Sequence, residues 1–285
     1  MNEVFYIYNG TIKKASESVA MLNNRAMFYG DGCFETILAF NNIIPLLLKH
    51  IERLKKAAEQ LWLDLPNELI DLNILSNLIL YLAHRNKLYK TYKVKLTVYR
   101  QSEGLYRPTS KNVSYIIETI ALEQNKFQLN ENGLKIDVFE DISKNYSSIS
   151  RFKTLNALAN VLAQVYAKNN NLDDVVFLNC QNQIVEATSS NIFIVNQDNT
   201  VQTPPLSSGC IAGIMRSYLI DNVLPKLKQN VVEKNFSIDE LMNVKEVFLT
   251  NAVWGLRCVL AFRNKRYFNS LSQKIINELN NSLFG

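Results

Sequence analysis

A chain of 285 residues, 47% of them hydrophobic, can bury one large core or two modest ones and resembles no disordered or fibrous protein. Its 31 basic and 26 acidic residues leave a formal charge of +5 with the signs interspersed, which gives no nucleic-acid footprint. Cys33, Cys180, Cys210 and Cys258 form no Cys-x-x-Cys pair, and His50 and His84 have no ligand-spaced partner, so neither a metal site, a disulfide framework nor a Ser-His-Asp triad is indicated.

Along the chain, strand-like segments at Val4–Tyr8 and Cys33–Phe40 precede a helix in which Leu47, Ile51, Leu54, Ala58 and Leu61 recur at spacings of three and four. A second helical stretch covers about 69–86. Tyr92, Val94, Leu96 and Val98 then alternate with Thr91, Lys93, Lys95 and Thr97, as a half-buried strand does, and continuing that alternation turns Arg100 inward. Val113–Ile120 reads as a further strand. The polar stretch 123–133 breaks the pattern and is the expected linker between an N-terminal domain, 1–122, and a C-terminal domain, 134–285. The second half opens on a strand at Leu134–Phe139 and continues with a helix over about 154–168 that begins directly after Lys153. Strands follow at Val175–Leu178, Asn191–Val195 and Val247–Thr250, with helices over about 213–226 and 270–283. Mixed strands and helices in both halves predict two α+β (mixed α/β) domains. The start of the chain has no basic segment before an apolar one, and the longest apolar run, Ile43–Leu48, is far too short to span a bilayer. A reducing cytoplasm fits these features best.

Three segments have chemical potential. Lys153, in Ser-Arg-Phe-Lys-Thr-Leu-Asn, stands at the predicted head of a helix, where the dipole works against its charge as an imine-forming lysine requires; taken alone, it reads as a solvated surface lysine. Glu186 places a carboxylate between an apolar strand and the small residues Thr188, Ser189 and Ser190, poor solvation for a charge without a partner, although a turn carboxylate looks the same. The Pro/Ser/Gly loop 203–213 leads into a helix starting near Gly213, whose unpaired backbone N–H groups suit a phosphate.

Taken in order, six motifs resemble those of the class IV (fold-type IV) pyridoxal-phosphate aminotransferases and lyases, over essentially the whole chain. They are Arg25–Thr36, with its Phe-Tyr-Gly-Asp-Gly-Cys-Phe-Glu core, His50–Leu54, the Lys153 and Glu186 segments, Gly213–Arg216 and Thr250–Ala252. The resemblance implies a two-domain fold-type IV enzyme, with Lys153 holding pyridoxal 5'-phosphate as a Schiff base and later serving as acid and base. It implies Glu186 as partner of the ring nitrogen, and Arg53, Ile214, Met215, Ser189, Ser190, Thr250 and Asn251 as the remaining cofactor-binding residues. Arg53 sits beside Leu54, off the apolar stripe, and so is expected to reach the phosphate; without the resemblance it reads as a solvated helix residue. Tyr29 and Phe34 match positions that wall the substrate pocket; Arg100 matches the position at which D-amino-acid aminotransferases hold the substrate carboxylate, with Arg107 close enough to assist. Leu38 stands where branched-chain aminotransferases carry an arginine, a departure from that subgroup.

Two reactions follow from the resemblance: transfer of an amino group between an amino acid and a 2-oxo acid, and, as the alternative, the aminodeoxychorismate lyase reaction that releases pyruvate and 4-aminobenzoate. The presence of both Lys153 and Glu186 argues against a binding protein that has lost its chemistry. Relatives build the active site across a dimer interface, so a homodimer is expected, with no nucleic acid, membrane or metal partner.

Overall fold

A computed structural model describes residues 3–17, 24–130 and 132–285; the first two residues of the chain and Glu131 of the expected linker lie outside them. Contacts divide the chain into two compact units, Met1–Asn125 with Phe152–Asn156, and Lys126–Arg151 with Ala157–Gly285. Both are α+β.

In the first unit, β1 (Phe5–Tyr8) and β2 (Thr11–Lys14) form a hairpin whose turn residues, Asn9 and Gly10, both take positive φ, the reason an Asn-Gly pair stands there. Helix α1 (Arg25–Tyr29) is capped by the Asn24 side chain and ends at Gly30 in a left-handed conformation. After it come β3 (Gly32–Phe40), α2 (Leu47–Leu61), α3 (Asn67–Ile70), α4 (Leu72–Arg85), β4 (Thr91–Arg100) and β5 (Val113–Ala121). The single helix predicted over 69–86 is two. Asp71 adopts an extended conformation between α3 and α4, and its carboxylate caps α4 through the N–H groups of Asn73 and Ile74. The strands form one antiparallel sheet in the order β2-β1-β5-β4-β3. The expected stripe of α2 (Leu47, Ile51, Leu54) joins Leu75, Ile79 and Leu82 of α4 and the inward residues Tyr92, Val94, Leu96 and Val98 of β4 in one core.

The second unit runs through β6 (Leu134–Phe139), α5 (Leu158–Asn169), β7 (Asp174–Leu178), β8 (Ile184–Ala187), β9 (Asn191–Val195), β10 (Val201–Thr203), α6 (Ile214–Tyr218), α7 (Leu224–Lys226), β11 (Val231–Glu233), α8 (Ile238–Met242), β12 (Glu246–Asn251), β13 (Gly255–Phe262), β14 (Lys265–Arg266) and α9 (Ser270–Phe284). A π-helical stretch, Leu219–Val223, joins α6 to α7, so the helix expected over 213–226 is continuous but not uniform. The strands form a mixed sheet, β11-β10-β9-β12-β13-β6-β7-β8, with β14 paired to β13.

One expectation fails at the most important place. No helix begins after Lys153; α5 starts only at Leu158. Residues 152–156, assigned by sequence to the second domain, instead lie along β3: the Phe34 N–H donates to the Lys153 carbonyl at 2.8 Å, the Leu155 N–H donates to the Gly32 carbonyl at 3.0 Å, and Cys33 bridges to Thr154. The helix-dipole argument for Lys153 therefore falls, because its backbone is engaged as a strand.

Gly32, which accepts the Leu155 N–H, also lets β3 pair closely with β4, since a Cβ there would stand 2.2 Å from the Val98 carbonyl oxygen and 2.8 Å from the Tyr99 Cα. Both are backbone atoms with little room to yield. We expect G32A to lower unfolding free energy by about 3 kcal/mol, the upper part of the range for overpacking, measured by urea denaturation. A variant within 0.5 kcal/mol of the parent, on the scale of a neutral surface change, would contradict the packing described.

Candidate functional site

The residues singled out from sequence fall into two sets, one on each unit. In the first unit, the Lys153 ammonium lies over the Phe34 ring, 4.6 Å from its centroid, held by the backbone pairing with β3. On the opposite face of β3, Glu35 is buried against α2. Its Oε1 accepts a hydrogen bond from Arg53 Nε at 2.8 Å, and its Oε2 accepts from Arg53 Nη2 at 2.6 Å and from His50 Nδ1 at 2.7 Å. His50 and Arg53, three apart on α2, present their heads to the same carboxylate.

Burial alone would raise the Glu35 carboxyl, but the Arg53 charge and the hydrogen bonds from Arg53 and His50 outweigh it and hold the group at about 2. His50 shifts downward, because burial exceeds the pull of a carboxylate already neutralised by Arg53 and because Arg53 and Lys153 add positive charge nearby. It is thus a neutral imidazole with its proton on Nδ1. Burial also pushes the Cys33 thiol up to about 12, so it is no nucleophile. Arg53 corrects the sequence expectation in one respect. It is not a solvated residue off the apolar stripe but a buried one, 8% exposed, fixed edge-on by a bidentate carboxylate.

Arg100 turns inward, as the alternation of β4 predicts, yet its guanidinium has other partners than a substrate. Nε donates to Asp31 at 2.9 Å, Nη2 to the Leu61 carbonyl at 2.6 Å, and Nη1 to the Trp62 and Ser110 carbonyls at 2.9 and 3.4 Å. It closes the C-terminal end of α2, where the last carbonyls lack helical donors. The expectation that Arg100 holds a substrate carboxylate is corrected accordingly. A shallow depression of about 510 Å³ opens beside it, lined by Leu61, Trp62, Arg100 and residues 108–111, and none of Phe34, Arg53 or Lys153 lines it. Arg25 supports the same region: its Nε shares Asp31, its Nη1 donates to the Gly104 and Leu105 carbonyls, and its guanidinium lies 4.8 Å from the Tyr29 ring centroid. Tyr29 in turn packs on Tyr106, and Arg107 is exposed on the loop after β4.

In the second unit, Glu186 is buried near the end of β8. Its Oε2 accepts from the Ile211 N–H at 2.9 Å, with the Asn191 amide at 3.5 Å, while its Oε1 meets the Lys144 ammonium but accepts no hydrogen bond among the described residues. The turn that follows is clamped at Thr188. The Thr188 hydroxyl donates to Asp174 at 2.6 Å, and Asn160 and Gln164 of α5 donate to the Thr188 carbonyl and hydroxyl oxygens. Burial raises the Asp174 carboxyl, partly offset by these bonds.

Beyond the clamp, Ser189 is exposed, whereas the buried hydroxyls of Ser190 and Thr250 have no hydrogen-bond partner among the described residues. Thr250 pairs across β12 and β9 with Asn191, whose amide donates to the Ile211 carbonyl at 2.9 Å. Gly213 caps α6 so close to Asn191 that a Cβ would fall 1.9 Å from its Oδ1. The Ile214 and Met215 N–H groups head that helix, where no intrahelical carbonyl exists for them. Asn251, expected to give a side-chain donor to the cofactor, uses its amide and its oxygen to organise the β12–β13 turn. Its amide reaches the Ser189 carbonyl, and its oxygen accepts from the Val253 and Trp254 N–H groups at 3.0 and 3.1 Å.

Buried polar atoms without partners are rare in folded proteins and mark places built for something else to bind. Two orphaned hydroxyls beside a helix head make a donor set for a phosphate, and a buried carboxylate whose Oε1 meets only a cation from the solvent edge has acceptor capacity left for a protonated ring nitrogen. These residues fit pyridoxal phosphate. The sequence reading assigned no role to Glu35, His50, Asp174 or Thr188, which support the candidate residues here; the spacing of His50 and Arg53 on one helix face was the available signal.

Residues 32–262 match the family model for amino-transferase class IV. A putative branched-chain-amino-acid aminotransferase of Methanocaldococcus jannaschii is 28% identical over 255 residues, covering 85% of this chain and 82% of the relative. A D-alanine aminotransferase of Bacillus licheniformis is 27% identical over 256 residues, 86% and 83% of the two chains. An aminodeoxychorismate lyase of Vibrio harveyi is 25% identical over 237 residues, 82% and 84% of the two. The fold matches that of a branched-chain aminotransferase of Thermoproteus uzoniensis, crystallised with norvaline, at a TM-score of 0.88 and 22% identity over 98% of this chain and 94% of that one. The fold-type IV architecture implied by the motifs is thus the fold of this chain.

The Glu35 cluster yields a pH prediction. A carboxyl held near 2 contributes stability that is complete above its unfolded value, ~4.3, and is lost as pH falls through about 2. Replacing Glu35 by Gln leaves the Arg53 cation buried without its counter-charge, and we expect a loss of about 3–5 kcal/mol at pH 7. The gap between parent and E35Q should narrow as the pH of the melts is lowered from 5 towards 2. A gap that stays constant over that range would contradict the assignment.

Proposed function

The chain belongs to the class IV aminotransferases, and we propose that it is a pyridoxal-phosphate enzyme moving an amino group between an amino acid and a 2-oxo acid. The observation that carries this reading is the pair of buried hydroxyls without a hydrogen-bond partner among the described residues, Ser190 Oγ and Thr250 Oγ1, on the strands next to the head of α6 and in the same unit as the buried Glu186 carboxylate. When bound, pyridoxal phosphate supplies an electron sink that accepts the electron pair left at the substrate α-carbon.

The chain's own residues do the rest. Lys153 Nζ would hold the cofactor and, once the substrate amine has displaced it and left it a free amine, would take and return the proton at the substrate α-carbon. Glu186 Oε1 accepts the hydrogen bond of the ring N–H. The Ser190 and Thr250 hydroxyls and the first N–H groups of α6 bind the phosphate, with Arg53 as its cation; Glu35 and His50 keep that guanidinium in one orientation. Phe34, under the Lys153 ammonium, and Tyr29 wall the substrate side. Leu38 is buried in β3, so no charge stands where branched-chain relatives carry arginine.

We also propose a homodimer in a reducing, cytoplasmic setting. Helix α5 is small inside and large outside: Ala163 and Ala167 are buried, while Leu158, Val161, Leu162 and Val165 form an exposed apolar stripe without a charge. That inversion suits a face covered by a second copy. Among the described residues, no helix is long and apolar enough to cross a membrane.

Purified protein given pyridoxal phosphate should develop a visible absorption band that an amino acid discharges, with the matching 2-oxo acid appearing and a second 2-oxo acid restoring the band. K153A should lose the band entirely. Pyruvate release from aminodeoxychorismate, with no discharge by any amino acid, would instead establish the lyase reaction. For the dimer, V161D combined with V165D should halve the mass seen by light scattering at micromolar concentration without loss of fold by circular dichroism; a parent protein that is already monomeric there would refute it.

A further inference from the structure

Lys144 lies in the polar stretch after β6, and neither the motifs nor the cofactor-binding set accounts for it. Its N–H donates to the Leu178 carbonyl at 2.8 Å, which fixes its backbone at the end of β7. From there the side chain crosses the Phe177 ring, with the ammonium 5.3 Å from the centroid, and ends on Glu186 Oε1. It is 20% exposed, against 3% for its carboxylate partner, so the cation reaches in from the solvent edge to a buried acid. Glu186 is thus held from two sides, its Oε2 by the Ile211 N–H and its Oε1 by Lys144.

Among the described residues, no other charged side chain forms an ion pair with Glu186. The Cys210 thiol, pushed up to about 11 by burial and then by Glu186, is neutral. Arg216 directs its Nη2 to the Pro204 carbonyl and to Glu233. Asp174 faces Thr188 and Gln164, and Asn191 is uncharged.

We infer that Lys144 is a positioning residue for the cofactor: it fixes the Glu186 carboxylate and offsets part of the negative charge that this group presents to the ring nitrogen. The inference rests on the reading of Glu186 as the ring partner. Its consequence is electrostatic. A cation beside Glu186 makes every protonated form of the bound cofactor less favourable, so the bound chromophore loses its proton at a lower pH than it would beside an unneutralised carboxylate.

The test is a pH titration of the visible absorption band in protein loaded with pyridoxal phosphate. K144M keeps the alkyl stem over Phe177 and removes the charge, and its midpoint should rise by about half a pH unit or more, a partial-exposure discount on the shift a close charge gives. K144R should titrate like the parent. In an E186Q background, the same K144M change should shift the midpoint by less than half as much, because the effect runs through the carboxylate. K144Q serves as a second charge-removing variant should K144M fail to fold. A midpoint that stays put or falls when the charge is removed, with cofactor bound, overturns the inference alone. A chain that takes up no pyridoxal phosphate overturns the functional reading and this inference with it.

Discussion

The Glu35 carboxylate, buried in β3 and gripped by Arg53 on both oxygens, is the interaction on which the first half of the site depends. A charged group in that position is tolerable only because its counter-charge and a neutral imidazole arrive together from one helix face. Since strand residues alternate sides, the neighbouring Phe34 faces the other way, and its backbone N–H and ring hold Lys153. Two consecutive residues of one strand therefore fix both the lysine and the arginine proposed for the site. An error in the register of β3 would displace both at once.

The second unit obtains its precision differently. Its carboxylate, Glu186, sits one residue from the end of a short strand, and the turn beyond it would be free to move without the Asp174–Thr188 clamp. Asn160 and Gln164, one turn apart on α5, reach the same threonine. The result is a rigid turn whose next buried hydroxyl, on Ser190, is held in place without a partner of its own. Donors positioned in advance are what a phosphate site requires, because ordering them on binding would cost affinity.

Features that depend on local pattern were legible in the sequence. The apolar stripe of α2, the alternation of β4, the Gly213 helix head and the inward direction of Arg100 follow from periodicity and from backbone donors, which neighbouring residues determine. What failed depended on distant partners. The stretch after Lys153 reads as the start of a helix, but pairing with β3 takes the backbone of Lys153, Thr154 and Leu155 first. Arg53 looked solvated because its partner lies 18 positions away, and Arg100 looked available because the carbonyls it closes belong to another element. Asn251 gave no sign that its amide and carbonyl serve the adjoining turn. The ordered motifs point to the candidate site as a whole because they encode the outcome of such long-range pairing, which no window of neighbouring residues contains.

The stitching of Phe152–Asn156 to β3 also makes both units discontinuous in the chain. The lysine-bearing segment is flanked on both sides by residues of the other unit, so a cut at any single peptide bond near residue 125 severs Lys153 from the strand that holds it. Neither half is an independent module, and a chimaera exchanging one contiguous half with a relative would carry its lysine opposite a foreign β3. Diversification of substrate preference in such a fold is better served by changes within loops and strands than by recombination at the boundary between the two halves.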